Sequence, residues 1–127
     1  MKKQLFLLLI LLTLSCKKES AESFGKPDEN VSEVQKPEDL GKSIFEGKGN
    51  CIACHQVAQK VVGPSLQEIA KIYKDKNANM VQFLKGEGEP IVDPAQYEVM
   101  KANFVITKTM SDEELKALEI YVYSHLK

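Results

Sequence analysis

The chain has 127 residues, 28% of them charged, and a formal net charge of −1 at pH 7. This length accommodates one small domain. Because acidic and basic residues nearly balance, the composition gives no support to nucleic-acid binding, which depends on a basic surface. The sequence contains neither Trp nor Arg, which limits the side chains available to bind anionic groups.

The N-terminal segment has the layout of an export signal. Lys2 and Lys3 precede an apolar run over residues 5–12. A basic start followed by a short apolar segment is typical of a secretory signal. The run has about half of the ~20 residues that a membrane-spanning helix needs, so a permanent span is not expected. We predict a signal peptide over residues 1–15 and export to the periplasmic side of a membrane.

Cys16 follows small residues and resembles the lipidated cysteine of bacterial lipoproteins. This resemblance implies acylation of Cys16 and a lipid anchor. The alternative is ordinary cleavage nearby, which leaves a soluble protein with a free thiol. Residues 16–36 are polar and charged and show no periodicity, which is typical of a flexible tether. The predicted folded domain then covers residues 37–127.

Apolar residues recur at helical spacing through this domain, and no segment alternates as a strand does. Helices are predicted from Pro37 up to Gly47 and over 65–73, 78–85 and, as a short turn, 94–100.

The last helix carries the clearest start signal. Ser111 is its predicted N-cap, and Glu114 completes a capping box. Residues 101–109, just before it, are expected to be irregular. The sequence therefore predicts a small all-α fold of about four to five helices.

The strongest chemical signal is Cys51-Ile52-Ala53-Cys54-His55. This is C-x-x-C-H, the attachment signature of c-type haem. Two thiols at this spacing can each form a thioether with a haem vinyl group, and the following imidazole then reaches the iron. The motif predicts Cys51 and Cys54 as covalent haem attachments and His55 as an iron ligand.

A bare C-x-x-C also occurs in zinc sites and in thioredoxin-like redox pairs. A zinc site would need two further ligands, and only Cys16 and His125 remain, at opposite ends of the chain. A thioredoxin-like site would need a strand–helix context that the pattern lacks. The export signal, the adjacent histidine and the helical pattern together favour one covalently bound haem c.

With these motifs, residues 40–127 resemble class I cytochromes c, small all-helical electron carriers that wrap around one haem. Gly41 matches the family's first helix, where glycine allows close packing against the terminal helix. Pro64 matches the segment after the haem motif, where the proline carbonyl accepts a hydrogen bond from the axial His55 ring. The final helix, with Tyr121 on its apolar face, matches the C-terminal element.

The resemblance also implies a methionine as the sixth iron ligand. Met100 is the predicted ligand, because family members place it in the loop upstream of the terminal helix. Met110 and Met80 are alternatives, each with a structural explanation. Met110 fits a hydrophobic staple before the last helix, and Met80 fits a helical core pattern. His125 is a further alternative but is expected to be a surface residue.

Haem propionates in this family are often held by Arg or Trp, and neither is present. Among the Tyr73, Tyr97, Lys and Asn side chains that remain, Tyr73 is the favoured propionate partner. Asn103 is a candidate hydrogen-bond donor to the sulfur of Met100.

The function that the resemblance implies is electron transfer in a respiratory chain, by a monomer anchored to the membrane. Expected partners are redox proteins such as a quinol–cytochrome c reductase-type complex and a terminal oxidase or reductase. An electron carrier and not an enzyme is expected, because two strong axial ligands leave no iron position for a substrate. The alternative is a peroxidase-like haem enzyme or a sensor with an open iron position, for which the sequence supplies no distal acid–base pair.

Overall fold

A computed structural model describes residues 35–127 of the chain. Within that range the backbone forms six α-helices: α1 (Pro37–Glu46), α2 (Leu66–Asp75), α3 (Met80–Leu84), α4 (Tyr97–Lys101), α5 (Phe104–Thr107) and α6 (Asp112–Ser124). Two 3₁₀ turns cover Cys51–Ala53 and Pro94–Gln96. The described residues contain no strand, and the predicted all-α fold is confirmed. No helix among them is long and apolar enough to cross a membrane.

The predicted signal peptide, Cys16 and the tether up to residue 34 lie outside the described residues.

Helices α1 and α6 pack directly against each other, and Gly41 makes this possible. A Cβ atom at Gly41 would clash with the backbone carbonyl of Ala117 and would lie 2.7 Å from the Cβ atom of Tyr121. The rings of Phe45 and Tyr121 pack with their centroids 5.3 Å apart. The close approach that the resemblance implied is therefore present, and the two helices form one side of the core.

Helix α6 begins as its sequence predicts. The amide of Glu114 donates to Ser111 Oγ at 3.2 Å, and the amide of Ser111 donates to Glu114 Oε2 at 3.0 Å, which completes the capping box. Met110 and Leu115 are 8% and 1% exposed and belong to the same core cluster, as a hydrophobic staple requires.

The expectation that residues 101–109 are irregular is wrong, because α5 lies within them. Tertiary contacts hold this four-residue helix. Thr107 is fully buried, and its Oγ1 donates to the carbonyl of Leu84 at 2.6 Å. The ring of Phe104 meets that of Phe83 edge-on at 5.4 Å.

The expectation that His125 is a surface residue holds only in part, because the residue is half-buried. Its ring meets that of Tyr121, one turn earlier, edge-on at 4.8 Å between centroids. His125 Nε2 is buried without a hydrogen-bond partner. Leu126, the next residue, is partly buried and packs against the core, so the chain just after α6 stays in contact with the domain.

Candidate functional site

A cavity of about 480 Å³ lies among α2, α3, α4 and the Cys51–Ala53 turn. Its volume falls within the ~300–1,000 Å³ typical of small-molecule and cofactor sites. All six predicted site residues within the described range line it, namely Cys51, Cys54, His55, Pro64, Tyr73 and Met100. The structure thus brings together residues that are up to 49 positions apart in the sequence, from Cys51 to Met100.

The C-x-x-C-H segment is wound into a tight turn. The amides of Cys54 and His55 both donate to the carbonyl of Cys51, at 3.1 and 3.0 Å. Asn50 enters this turn with a left-handed φ of 51°, a conformation that Asn adopts more readily than most residues. The turn presents both thiols and the imidazole to the same cavity.

Cys51 and Cys54 do not form a disulfide. Burial raises the pKa of the Cys51 thiol to about 11, which keeps it protonated at neutral pH. A thioredoxin-like nucleophile needs a lowered thiol pKa. The environment of Cys51 does not provide one.

The His55 ring is fixed in orientation. Its Nδ1 lies 2.7 Å from the carbonyl oxygen of Pro64, which can only accept a hydrogen bond. Nδ1 therefore carries the proton, and Nε2 has the free lone pair that a metal ligand needs. Gly63 leaves room for the ring, since a Cβ atom there would lie 2.7 Å from His55 Nδ1.

Two of the three candidate methionines line the cavity. Met100 contributes from α4 and Met80 from α3, while Met110 is outside the lining and packs in the core. The structural role expected for Met110 agrees with this position. Met80 is 3% exposed and does belong to the core, as expected. The sequence analysis missed that it also borders the cavity, because helical spacing does not distinguish a core position from a cavity wall.

Tyr73 is 3% exposed and lines the cavity. Burial raises its pKa, so its phenol stays neutral and can donate a hydrogen bond. Tyr97 also lines the cavity, and both tyrosine rings pack on Phe83, at 6.3 and 6.2 Å.

Asn103 has a different partner from the one expected. Its Nδ2 donates to the carbonyl of Gly49 at 3.1 Å, a bond that the sequence analysis missed because the two residues are 54 positions apart.

Two lysines beside the cavity form ion pairs. Lys60 forms an ion pair with Asp93 at 2.6 Å, and Lys101 forms one with Glu98 at 3.1 Å. Two apolar side chains of the lining remain about half exposed: Val62 is 44% exposed and Val99 is 52% exposed. The surface beside the cavity therefore includes exposed apolar side chains together with two lysines whose charges are paired.

Among residues 35–127, no group of three or more His, Cys, Asp or Glu side chains is placed to hold a metal ion. The further ligands that a zinc site would need are thus not found in this part of the chain.

Comparison with known proteins agrees with the cavity chemistry. The family model described as cytochrome c matches residues 38–125. Cytochrome c-552 of Nitrosomonas europaea is 56% identical over 40 residues, which cover 32% of this chain and 38% of that protein. The similarity thus spans less than half the length of this relative. Since the family match covers more than half of the chain, this protein belongs to the cytochrome c family.

Proposed function

We propose that this protein transfers electrons outside the cytoplasm through one haem c with His55 and Met100 as axial ligands. Covalently bound haem c and haem-based electron transfer are properties of the family. The observation that supports the specific ligand set is the convergence of Cys51, Cys54, His55 and Met100 on one largely apolar cavity.

Each of these residues has a defined task in the proposal. Cys51 and Cys54 supply the two thioether sulfurs, and His55 binds the iron through Nε2 while Pro64 holds its Nδ1 proton. Met100 supplies a thioether ligand, which raises the reduction potential relative to a second imidazole. Tyr73 offers a hydrogen-bond donor to a propionate. When bound, the haem supplies a one-electron redox centre, and two protein ligands leave no position for a substrate.

The alternative function is a peroxidase-like enzyme or a sensor with an open iron position. An enzyme of this kind needs an acid–base group beside the reacting oxygen. Among the described lining residues, Asp93 is the one carboxylate, and Lys60 pairs with it and lowers its pKa. This favours the electron carrier.

The experiment that tests the function is an optical redox titration of the purified protein, followed by exposure of the reduced form to carbon monoxide. We expect a single one-electron transition and little carbon monoxide binding. We also expect the weak long-wavelength absorption band that bonding between iron and a methionine thioether gives the oxidised protein. Rapid carbon monoxide binding, or turnover of hydrogen peroxide, would instead support the enzyme or sensor.

The partners follow from the same proposal. Redox partners are a general property of cytochromes c, and we propose a quinol–cytochrome c reductase-type complex as donor and a terminal oxidase or reductase as acceptor.

Because Lys60 and Lys101 are paired with carboxylates, docking should depend little on long-range charge. Quinol-supplied membranes of the source organism should reduce the protein at a rate that changes only a few-fold between low and physiological salt. A steep fall with salt would contradict this docking mode.

The proposal includes a lipid anchor at Cys16, supported by the sequence pattern alone. In the native host, Cys16→Ser should move the protein from the membrane fraction to the soluble fraction, because acyl chains provide the anchoring. A wild-type protein that is already soluble and unacylated would remove the anchor from the proposal and leave the electron-carrier function in place.

A further inference from the structure

We propose that Asn103 is a positioning residue that fixes the Met100 segment to the loop before Cys51, and thereby sets how readily Met100 leaves the iron. The inference rests on the proposed ligation by Met100. Its basis is the hydrogen bond from Asn103 Nδ2 to the carbonyl of Gly49, 3.1 Å long and partly buried.

On one side, Asn103 is tied directly to Met100. The backbone amide of Asn103 donates to the carbonyl of Met100 at 2.9 Å, at the end of α4. The carbonyl of Asn103 in turn accepts from the amides of Ile106 and Thr107 in α5, at 2.9 and 3.1 Å. Any displacement of Asn103 therefore moves the backbone of Met100.

On the other side, Gly49 is held firmly beside the haem attachment. Gly49 is buried, and its amide donates to the carbonyl of Ile44 at 2.8 Å. A Cβ atom at Gly49 would lie 2.7 Å from that carbonyl and 3.1 Å from Cys51 Sγ. The carbonyl of Gly49 is thus a fixed acceptor two residues before Cys51.

Haem attachment increases the importance of this bond. In the free thiol form, Cys51 Sγ also lies 3.5 Å from the carbonyl of Gly49 and donates weakly to it. As a thioether, the Cys51 sulfur would carry no hydrogen and could not donate to this carbonyl. Among the described residues, Asn103 is then the one side chain that still donates a hydrogen bond to the carbonyl of Gly49.

Helix α4 has few other means of staying in place. None of its residues is buried, and Val99 is 52% exposed. Its tertiary anchor is the ring of Tyr97, which packs on Phe83 and Phe104 at 6.2 Å from each. Segments with few buried contacts open first, so a single hydrogen bond from Asn103 to the loop before Cys51 affects local opening strongly here.

The test uses the full-length haem protein with Asn103→Ala and Asn103→Asp. Alanine removes the donor, and aspartate keeps the shape but presents an acceptor to the carbonyl of Gly49. Asn79→Ala is the matched control, since Asn79 Oδ1 accepts from the amide of Gln82 at 2.9 Å and caps α3 without touching Gly49. Three quantities are measured: the carbon monoxide binding rate of the reduced protein, the temperature at which the long-wavelength band of the oxidised protein disappears, and the global unfolding midpoint.

Both Asn103 variants should bind carbon monoxide about fivefold faster, the factor that corresponds to one typical hydrogen bond. Their long-wavelength band should disappear at a lower temperature than in the wild type. Asn79→Ala should lower the unfolding midpoint and leave the binding rate unchanged. Equal carbon monoxide rates in the wild type and both Asn103 variants would overturn the inference, as would an equal acceleration in Asn79→Ala. A wild type without the long-wavelength band, or a Met100→Ala variant that keeps it, would instead refute Met100 ligation itself, so the two failures are distinguishable.

Discussion

Cys51→Ala and Cys54→Ala are each expected to lose stable haem attachment and most of the helical fold. In either variant one of the two thioethers cannot form, so fewer chains acquire and retain haem, and the chains without haem lose the group around which the domain packs. An apolar cavity of about 480 Å³ then remains next to the core. Without haem, the apolar side chains that line this cavity lose the group they would pack on, and a domain of about 90 residues has little other core to hold the fold.

The measurement is haem absorbance that stays with the chain under denaturing conditions, together with helical circular dichroism. Ile52→Ala is the matched control, because Ile52 lies between the two cysteines and its side chain is 50% exposed. This control should retain covalent haem and helicity. A wild-type protein that folds fully without haem and carries zinc would contradict the covalent-haem assignment.

Local signals explain why much of the fold could be predicted from sequence. Ser111 and Glu114 specify the start of α6 within four residues, and Gly41 specifies a close helix contact by lacking a side chain. The Cys-Ile-Ala-Cys-His segment is likewise contiguous, and it forms one turn in which a single carbonyl accepts two amides. Each of these features depends on neighbouring residues, so the sequence contains the information directly.

The features that sequence analysis missed depend on distant residues. Helix α5 is too short to form by propensity, and the contacts of Thr107 with Leu84 and of Phe104 with Phe83 hold it in place. The bond from Asn103 to Gly49 is not encoded by any local pattern.

The tertiary fold also distinguishes the methionines, which sequence spacing left as alternatives. Met110 packs in the core with Leu115, outside the cavity lining, whereas Met80 and Met100 both border the cavity. Met80 is the first residue of α3 and is 3% exposed. Met100 belongs to a helix without buried residues, directly before the Asn103 contact. A methionine that is not required by the core is free to serve as an iron ligand, which supports Met100.

Met100→Ala should therefore remove the long-wavelength band of the oxidised protein, lower the reduction potential and open the iron to carbon monoxide. A thioether favours ferrous over ferric iron, so its loss stabilises the oxidised state. Each tenfold loss of that preference lowers the potential by ~59 mV for a one-electron couple. Optical spectra, redox titration and carbon monoxide binding measure the three effects.

Met110→Leu and Met80→Leu are the controls for this assignment. Leucine can replace methionine in a packed core at a cost below ~1.5 kcal/mol, but it cannot bind iron. Both variants should keep the band, the potential and the resistance to carbon monoxide, with at most a modest fall in unfolding temperature. If Met80→Leu abolished the band while Met100→Ala preserved it, the ligand would come from α3 and not from α4. Electron transfer would remain the function in that case, because a methionine from the same cavity would still complete the iron coordination.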